Sequence, residues 1–129
     1  MTEIKQIPGK AFVDSNIIIY LYSQDEPQKK YSVENLFTTF NELVISTQVL
    51  NECIHVMHKK KKIKLEVVAQ VVKELLESFV VSTITSSTIQ EALFIANKYH
   101  YSYYDSLIVA SSLENHCTIL FTEDMHHSQ

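Results

Sequence analysis

Arginine and tryptophan are absent from this chain of 129 residues, glycine occurs once, and proline and cysteine occur twice each. Without arginine the protein has no planar, bidentate guanidinium fork to offer a phosphate. All eleven cations are lysines. The three breakers, Pro8, Gly9 and Pro27, are too few for an all-β fold assembled from many tight turns, so helices must carry much of the chain. Cys53 and Cys117 form no CxxC, which excludes a disulfide framework and a cysteine zinc site and fits a reducing compartment. No apolar run approaches the ~18 residues of a membrane span, and the N-terminus has no secretory pattern. These absences lead us to expect a soluble cytoplasmic protein with no membrane partner.

What is present is a large apolar fraction, 46%, too high for a disordered chain and sufficient for one domain with a real core. The expectation is a single domain over 1–129, with residues 1–10 as a lead-in and no repeats or low-complexity linker. Short apolar runs read as strands at Ala11–Asp14, Leu43–Ile45, Phe79–Thr83 and Thr118–Phe121. Between them lie helical patterns. One opens at Pro27, which suits a first helical position, and carries Val33, Leu36, Phe37 and Phe40 at helical spacing. Ser46 caps the next, Thr47–His58. Val68, Val71, Val72, Leu75, Leu76 and Phe79 form the longest stripe. Thr85–Thr88 opens a helix ending near His100, and Tyr103–Asn115 is another. Ile17–Tyr22 is apolar all round and reads either as a buried helical turn or as more strand. Strands alternating with helices imply a parallel sheet with right-handed crossovers and helices on both faces.

Four acids punctuate this pattern. Asp14 ends the first strand and Asp124 follows the fourth, so a parallel sheet places both on its carboxyl edge, where open α/β sheets hold ligands. Asp105 lies in Ser102-Tyr103-Tyr104-Asp105, a capping-box spacing that also sets an acid at a helix N-terminus. Glu52 sits at the margin of the apolar face of the Ser46-capped helix. Each has a plain structural reading as a turn residue, a cap or a solvated margin. Ser46 and Thr122, at strand ends, read equally as caps or as hydroxyls that orient carboxylates. The net charge is −4, and apart from these four acids the other eleven Asp and Glu match the eleven Lys. Converging carboxylates repel one another and raise each other's pKa unless a cation lies between them. An all-oxygen shell suits Mg²⁺ or Mn²⁺ rather than Zn²⁺, and such an ion can activate a water and clamp a departing phosphodiester oxygen.

In Val13-Asp14-Ser15-Asn16, Ser46-Thr47 with Asn51-Glu52, Tyr104-Asp105-Ser106-Leu107-Ile108-Val109-Ala110-Ser111-Ser112 and Thr122-Glu123-Asp124-Met125, the chain resembles the PIN-domain ribonucleases. The likeness is nearest to the toxin subunits of VapBC toxin–antitoxin pairs. It spans about residues 11–127 in the family's order. The resemblance implies a three-layer α/β/α fold and Mg²⁺- or Mn²⁺-dependent cleavage of RNA. It implies Asp14, Glu52, Asp105 and Asp124 as catalytic residues, with Asp14, Asp105 and Asp124 on the metal and Asn16, Ser46 and Thr122 in support. It further implies a homodimer and an antitoxin partner. The family's T-x-D spacing selects Asp124 over Glu123. The family's sheet has order 3-2-1-4-5. Because nothing follows Gln129 here, and Ser128 stands where the family often has Gly, the expectation is a truncated sheet, order 3-2-1-4, lacking the fifth strand.

Other signals are weaker. Glu52 and His55 form a single E-x-x-H, with His58 one turn on, but di-iron bundles need a second copy. His126-His127, near the terminus, read as solvated residues or as residues lying near substrate. Lys59, Lys60, Lys61 and Lys62 read either as a solvated helix end or as a contact for RNA phosphates. Tyr99, Tyr101, Tyr103 and Tyr104 suit core packing or stacking on unpaired bases. The competing class is a catalytically impaired PIN-like module that binds an antitoxin or RNA without cutting. A phosphotransfer receiver domain is disfavoured, since paired early acids and a phosphoacceptor Asp after the third strand are missing.

Overall fold

The computed structural model describes residues 7–123. Its strands are β1 (Ile7–Val13), β2 (Phe40–Ser46), β3 (Val80–Ser82) and β4 (Ile119–Phe121). They form one parallel sheet in the order β3-β2-β1-β4, as the alternating pattern and the resemblance imply. The helices are α1 (Ser15–Leu21), α2 (Pro27–Thr39), α3 (Thr47–His55), α4 (Leu65–Ser78), α5 (Ser86–Tyr99) and α6 (Tyr103–Glu114), giving a three-layer α/β/α arrangement. Among the described residues no helix is long and apolar enough to cross a membrane.

β1 and β2 are the inner strands. Ala11 and Phe12 pair with β2 on one side and β4 on the other, Val13 pairs with β4, and all three are fully buried, as are Val44 and Ile45. Buried parallel strands read as continuous apolar runs rather than alternating ones, which is why these segments are legible. β1 starts four residues earlier than the apolar run suggests. The register slips between Ile7 and Lys10, where Gly9 takes φ +121° and its N–H donates to Asn41 Oδ1 at 3.2 Å. A side chain there would be strained by that φ and would meet Thr118 Oγ1 at 3.1 Å.

The ambiguous apolar segment after Asp14 is helix α1, with Ile17 and Ile18 in the core. In α2 the expected stripe is broken. Val33 is buried, Leu36 is exposed, and Phe40 belongs to β2, where its ring meets Phe121 edge-on at 5.4 Å. α3 ends at His55 and the chain continues through a π-helical turn, Val56–Lys60. Lys62 then reverses it with φ +59°. One core unites the sheet with Ile18, Val33, Val49, Cys53, Met57, Val68, Leu75 and Ile108. A second, smaller core lies between α5 and α6, from Ala92, Ile95, Leu107 and Ala110.

Candidate active site

The carboxyl ends of β1, β2 and β4 meet at one edge, and α1, α3 and α6 begin there. Asp14 is the hinge of this arrangement. Its N–H donates to Phe121 O at 3.0 Å, tying the exit of β1 to β4. Its side chain then caps α1, Oδ1 accepting from Ser15 N at 2.6 Å. Oδ2 accepts from the Thr122 hydroxyl at 2.7 Å. Asp14 is 7% exposed, and burial pushes its carboxyl above the usual carboxylate range. The two hydrogen bonds pull it back, and the negative fields of Glu52 and Asp105 push it up again. Those fields bring three of the four predicted acids to one electrostatic neighbourhood.

Glu52 reaches it from α3, whose start is set by Ser46 Oγ accepting from Val49 N at 3.2 Å. Both oxygens of Glu52 are held: Oε2 accepts from Ser15 Oγ at 2.9 Å and Oε1 from Gln48 Nε2 at 2.7 Å. Gln48 lies one turn before Glu52, the spacing at which helical side chains meet. Asp105 occupies the first turn of α6. Its own N–H donates to the capping Ser102 Oγ at 3.1 Å, and the helix start favours its charge. Asn16, the second residue of α1, is half-buried in the same corner. Asp124, with His126 and His127, lies outside the described residues.

The supporting hydroxyls divide. Thr122 bonds a carboxylate, whereas the Ser46 hydroxyl is spent on the α3 backbone. Glu123 turns away from the edge, accepting from Tyr20 OH at 2.7 Å and lying 3.5 Å from Lys29 Nζ. Ser15 and Gln48 were not singled out by sequence reasoning. The position of Ser15 beside Asp14 was visible, but its partner is 37 residues away. Gln48 could have been found from its one-turn spacing to Glu52.

Cys53 packs behind the site. Burial, with Glu52 and Asp14 adding, pushes its thiol up to about 12, so it stays protonated and is no nucleophile. His55 is exposed, and His58 Nδ1 lies 3.0 Å from Ile63 O at the end of the π-helical turn. Tyr99 and Tyr101 stack on each other at 6.0 Å, and Tyr101 and Tyr103 pack against the smaller core. Lys59 to Lys62 are all exposed.

A divalent cation would need oxygen donors here, and the set is apt: carboxylates only, one of them raised first by its burial and then by its neighbours' charge, a cost that a cation between them offsets. Among the described residues no three His, Cys, Asp or Glu side chains by themselves form a metal-holding group. Asp14 and Asp105 are the described members of the predicted metal set.

Residues 11–129 match the sequence model of the PIN domain. No protein of curated function matches the sequence. Solved structures share the fold, and two of them are toxin-related. One is the Mycobacterium tuberculosis toxin VapC20, which cleaves the sarcin–ricin loop. It is similar at a TM-score of 0.73 and 15% identity, over 88% of this chain and 89% of that one. The other is a toxin–antitoxin complex from Klebsiella pneumoniae, at a TM-score of 0.65 and 20% identity, over 88% and 86%.

Proposed function

As the chain belongs to the PIN-domain family, we propose that it is a metal-dependent endoribonuclease, the toxin of a toxin–antitoxin pair. The observation that carries this reading is the gathering of Asp14, Glu52 and Asp105 at one sheet edge, each fixed by a different device. The two fold relatives, a toxin that cleaves RNA and a toxin–antitoxin complex, support the biological setting. The proposed partners are RNA as substrate, an antitoxin protein and a second copy of the chain, acting in the cytoplasm.

Asp14, Asp105 and Asp124 are the residues that would hold Mg²⁺ or Mn²⁺. Bound there, the ion supplies an activated water and charge stabilisation for the leaving phosphodiester oxygen. Everything else falls to the chain's own groups. Thr122 and the Ser15 N–H fix the two oxygens of Asp14, so that its orientation does not depend on the ligand. Ser15 Oγ and Gln48 hold Glu52 at both oxygens, leaving their remaining lone pairs to orient the attacking water and take its proton. That proton transfer is worth about 10²–10⁴ in rate. Asp105 adds charge that the α6 N-terminus tolerates. Hydrolysis needs no covalent intermediate, and the site places no activated nucleophile among these residues.

Asp14→Asn is the test. It is nearly isosteric, keeps the cap on α1, and removes a buried, mutually repelling charge. Because the folded protein raises the Asp14 pKa, ionising that carboxyl costs stability as pH rises through its titration. The metal-free variant is therefore expected to melt no lower than the wild type at neutral pH, while cleavage falls by about 10²-fold or more. Mn²⁺ relaxation should report weakened metal binding in the variant. Wild-type cleavage by a folded Asp14→Asn protein would overturn the site. A folded wild type that neither binds Mn²⁺ nor cuts RNA would point to the non-cleaving binding module.

A further inference from the structure

An open cleft of about 660 Å³ lies beside Glu52, between α3 and the start of α6. That is within the range of small-molecule and nucleotide sites. Resting on the ribonuclease reading, we propose that this cleft seats one unpaired nucleotide of the RNA, next to the bond that is cut.

The walls suit a base and its phosphate. Tyr104, 64% exposed, stands on the α6 side, braced edge-on against Tyr103 at 5.5 Å. It immediately precedes Asp105, so an aromatic face and an acid of the site leave the same helical turn. Ile84 and Leu107 give the cleft an apolar surface, and Asn51, exposed on α3, offers both a donor and an acceptor to a base edge. Among the described residues Glu52 is the one acid in the lining, and it joins the cleft to the acidic edge. Among the described residues Lys60 is the one lysine in the lining, and it belongs to the run Lys59–Lys62.

Gln48 supplies a second, independent sign. Its Nε2 donates to Glu52, which fixes the amide's orientation. Among the described residues its buried Oε1 has no hydrogen-bond partner. A buried acceptor left unmet is costly, and Gln48 lines the cleft, where an N–H of a base or a ribose hydroxyl would meet it once the side chain shifts. The cleft favours RNA over protein. A basic peptide would be repelled by Lys59–Lys62, and an apolar one would leave Lys60 and Gln48 unused. Stacking on Tyr104 requires a base that is splayed out, so single-stranded RNA is the form recognised.

The test uses the full chain. Binding of a short randomised single-stranded RNA pool is measured by fluorescence anisotropy in the Asp14→Asn background, and cleavage kinetics in the otherwise wild-type chain. Tyr104→Ala is expected to weaken binding and raise KM about tenfold, with a smaller fall in kcat, and Tyr104→Phe to restore both. Lys60→Ala should reduce the slope of log K against log salt by about 0.7, one phosphate contact on a single strand. A folded Tyr104→Ala protein with unchanged Kd and KM would overturn the proposal. So would a Tyr104→Ala effect confined to self-association or to protein-partner binding, which would make the cleft a protein interface. If the wild type cuts no RNA, the ribonuclease reading fails by itself. The anisotropy arm still decides whether the cleft takes a nucleotide.

Discussion

The helices α3 and α6 both bring an acid to the same sheet edge, but they hold it in different ways. Glu52 is in the body of α3, whose Val49 and Cys53 are buried in the main core. Its carboxylate is bonded to Ser15, the residue next to Asp14, so Glu52 and Asp14 move as one piece with the sheet. Asp105 stands in the first turn of α6. That helix packs chiefly on α5 through the small core of Ala92, Ile95, Leu107 and Ala110, with Ile108 reaching the main core. Glu52 is bonded to a residue of the site itself, while Asp105 rides on a helix that docks chiefly as one of a pair. The α5–α6 pair is therefore the part through which the geometry of the site can loosen without the sheet unfolding.

Breaking the small core should show this most strongly. Ile95→Ala, at a residue 3% exposed, is expected to cost about 2–5 kcal/mol. Amide exchange should quicken over 86–99 and 103–114 while β1, β2 and α3 keep their protection. An equal loss of protection across both halves would mean that the helix pair and the sheet unfold as one unit, and that the contrast is wrong.

The clamp on Glu52 comes next. Ser15→Ala and Gln48→Ala should each lower kcat about tenfold with little change in KM, since each frees one oxygen of a carboxylate that must be aimed. Because both act through one group, their effects should not add, and neither should matter once Glu52 is Gln. Additive losses that persist in the Glu52→Gln background would show that they act elsewhere.

The smallest effect belongs to the cap. Ser102→Ala removes the side-chain acceptor for Asp105 N–H and should cost about 1 kcal/mol in stability. Cleavage should respond by more than it does to Ser46→Ala, the corresponding cap of α3, because Ser102 Oγ bonds the N–H of the acid itself, whereas Ser46 Oγ bonds Val49, three residues before Glu52. Chemical denaturation alongside single-turnover cleavage of both variants makes the comparison. Equal cleavage losses would remove the distinction between the two helices.

Much of this was legible in local patterns. The inner strands announced themselves as apolar runs because both their faces are covered. Ser46, Thr85 and Ser102 announced their helices because a cap is satisfied within three residues. Asp14 and Asp105 were legible as acids at a strand end and a helix start. Where a residue's neighbours lie far along the chain, the pattern misled. Phe40 completed a helical stripe on paper, yet it is the first residue of β2, because pairing with β1 and the ring of Phe121 outweighed its spacing from Phe37. Ile7–Lys10 looked like a lead-in because Pro8 and Gly9 discourage strand. The slipped register at Gly9 lets the strand pass through them.

By itself, then, the sequence determined the alternation of strands and helices, the parallel sheet that follows from it, and that Asp14 ends a strand and Asp105 opens a helix. These rest on backbone preferences and burial periodicities that act within a few residues. Only the tertiary structure decided which hydroxyl serves which carboxylate: that Thr122 turns to Asp14, that Ser46 turns to its own helix, that Ser15 and Gln48 grip Glu52 from two sides, and that Tyr104 faces a cleft. Bonds such as Ser15 to Glu52 join elements 37 residues apart. A side chain's hydrogen-bonding partner across such a distance leaves no period in the sequence and is selected only when the packed sheet brings the two helix starts together.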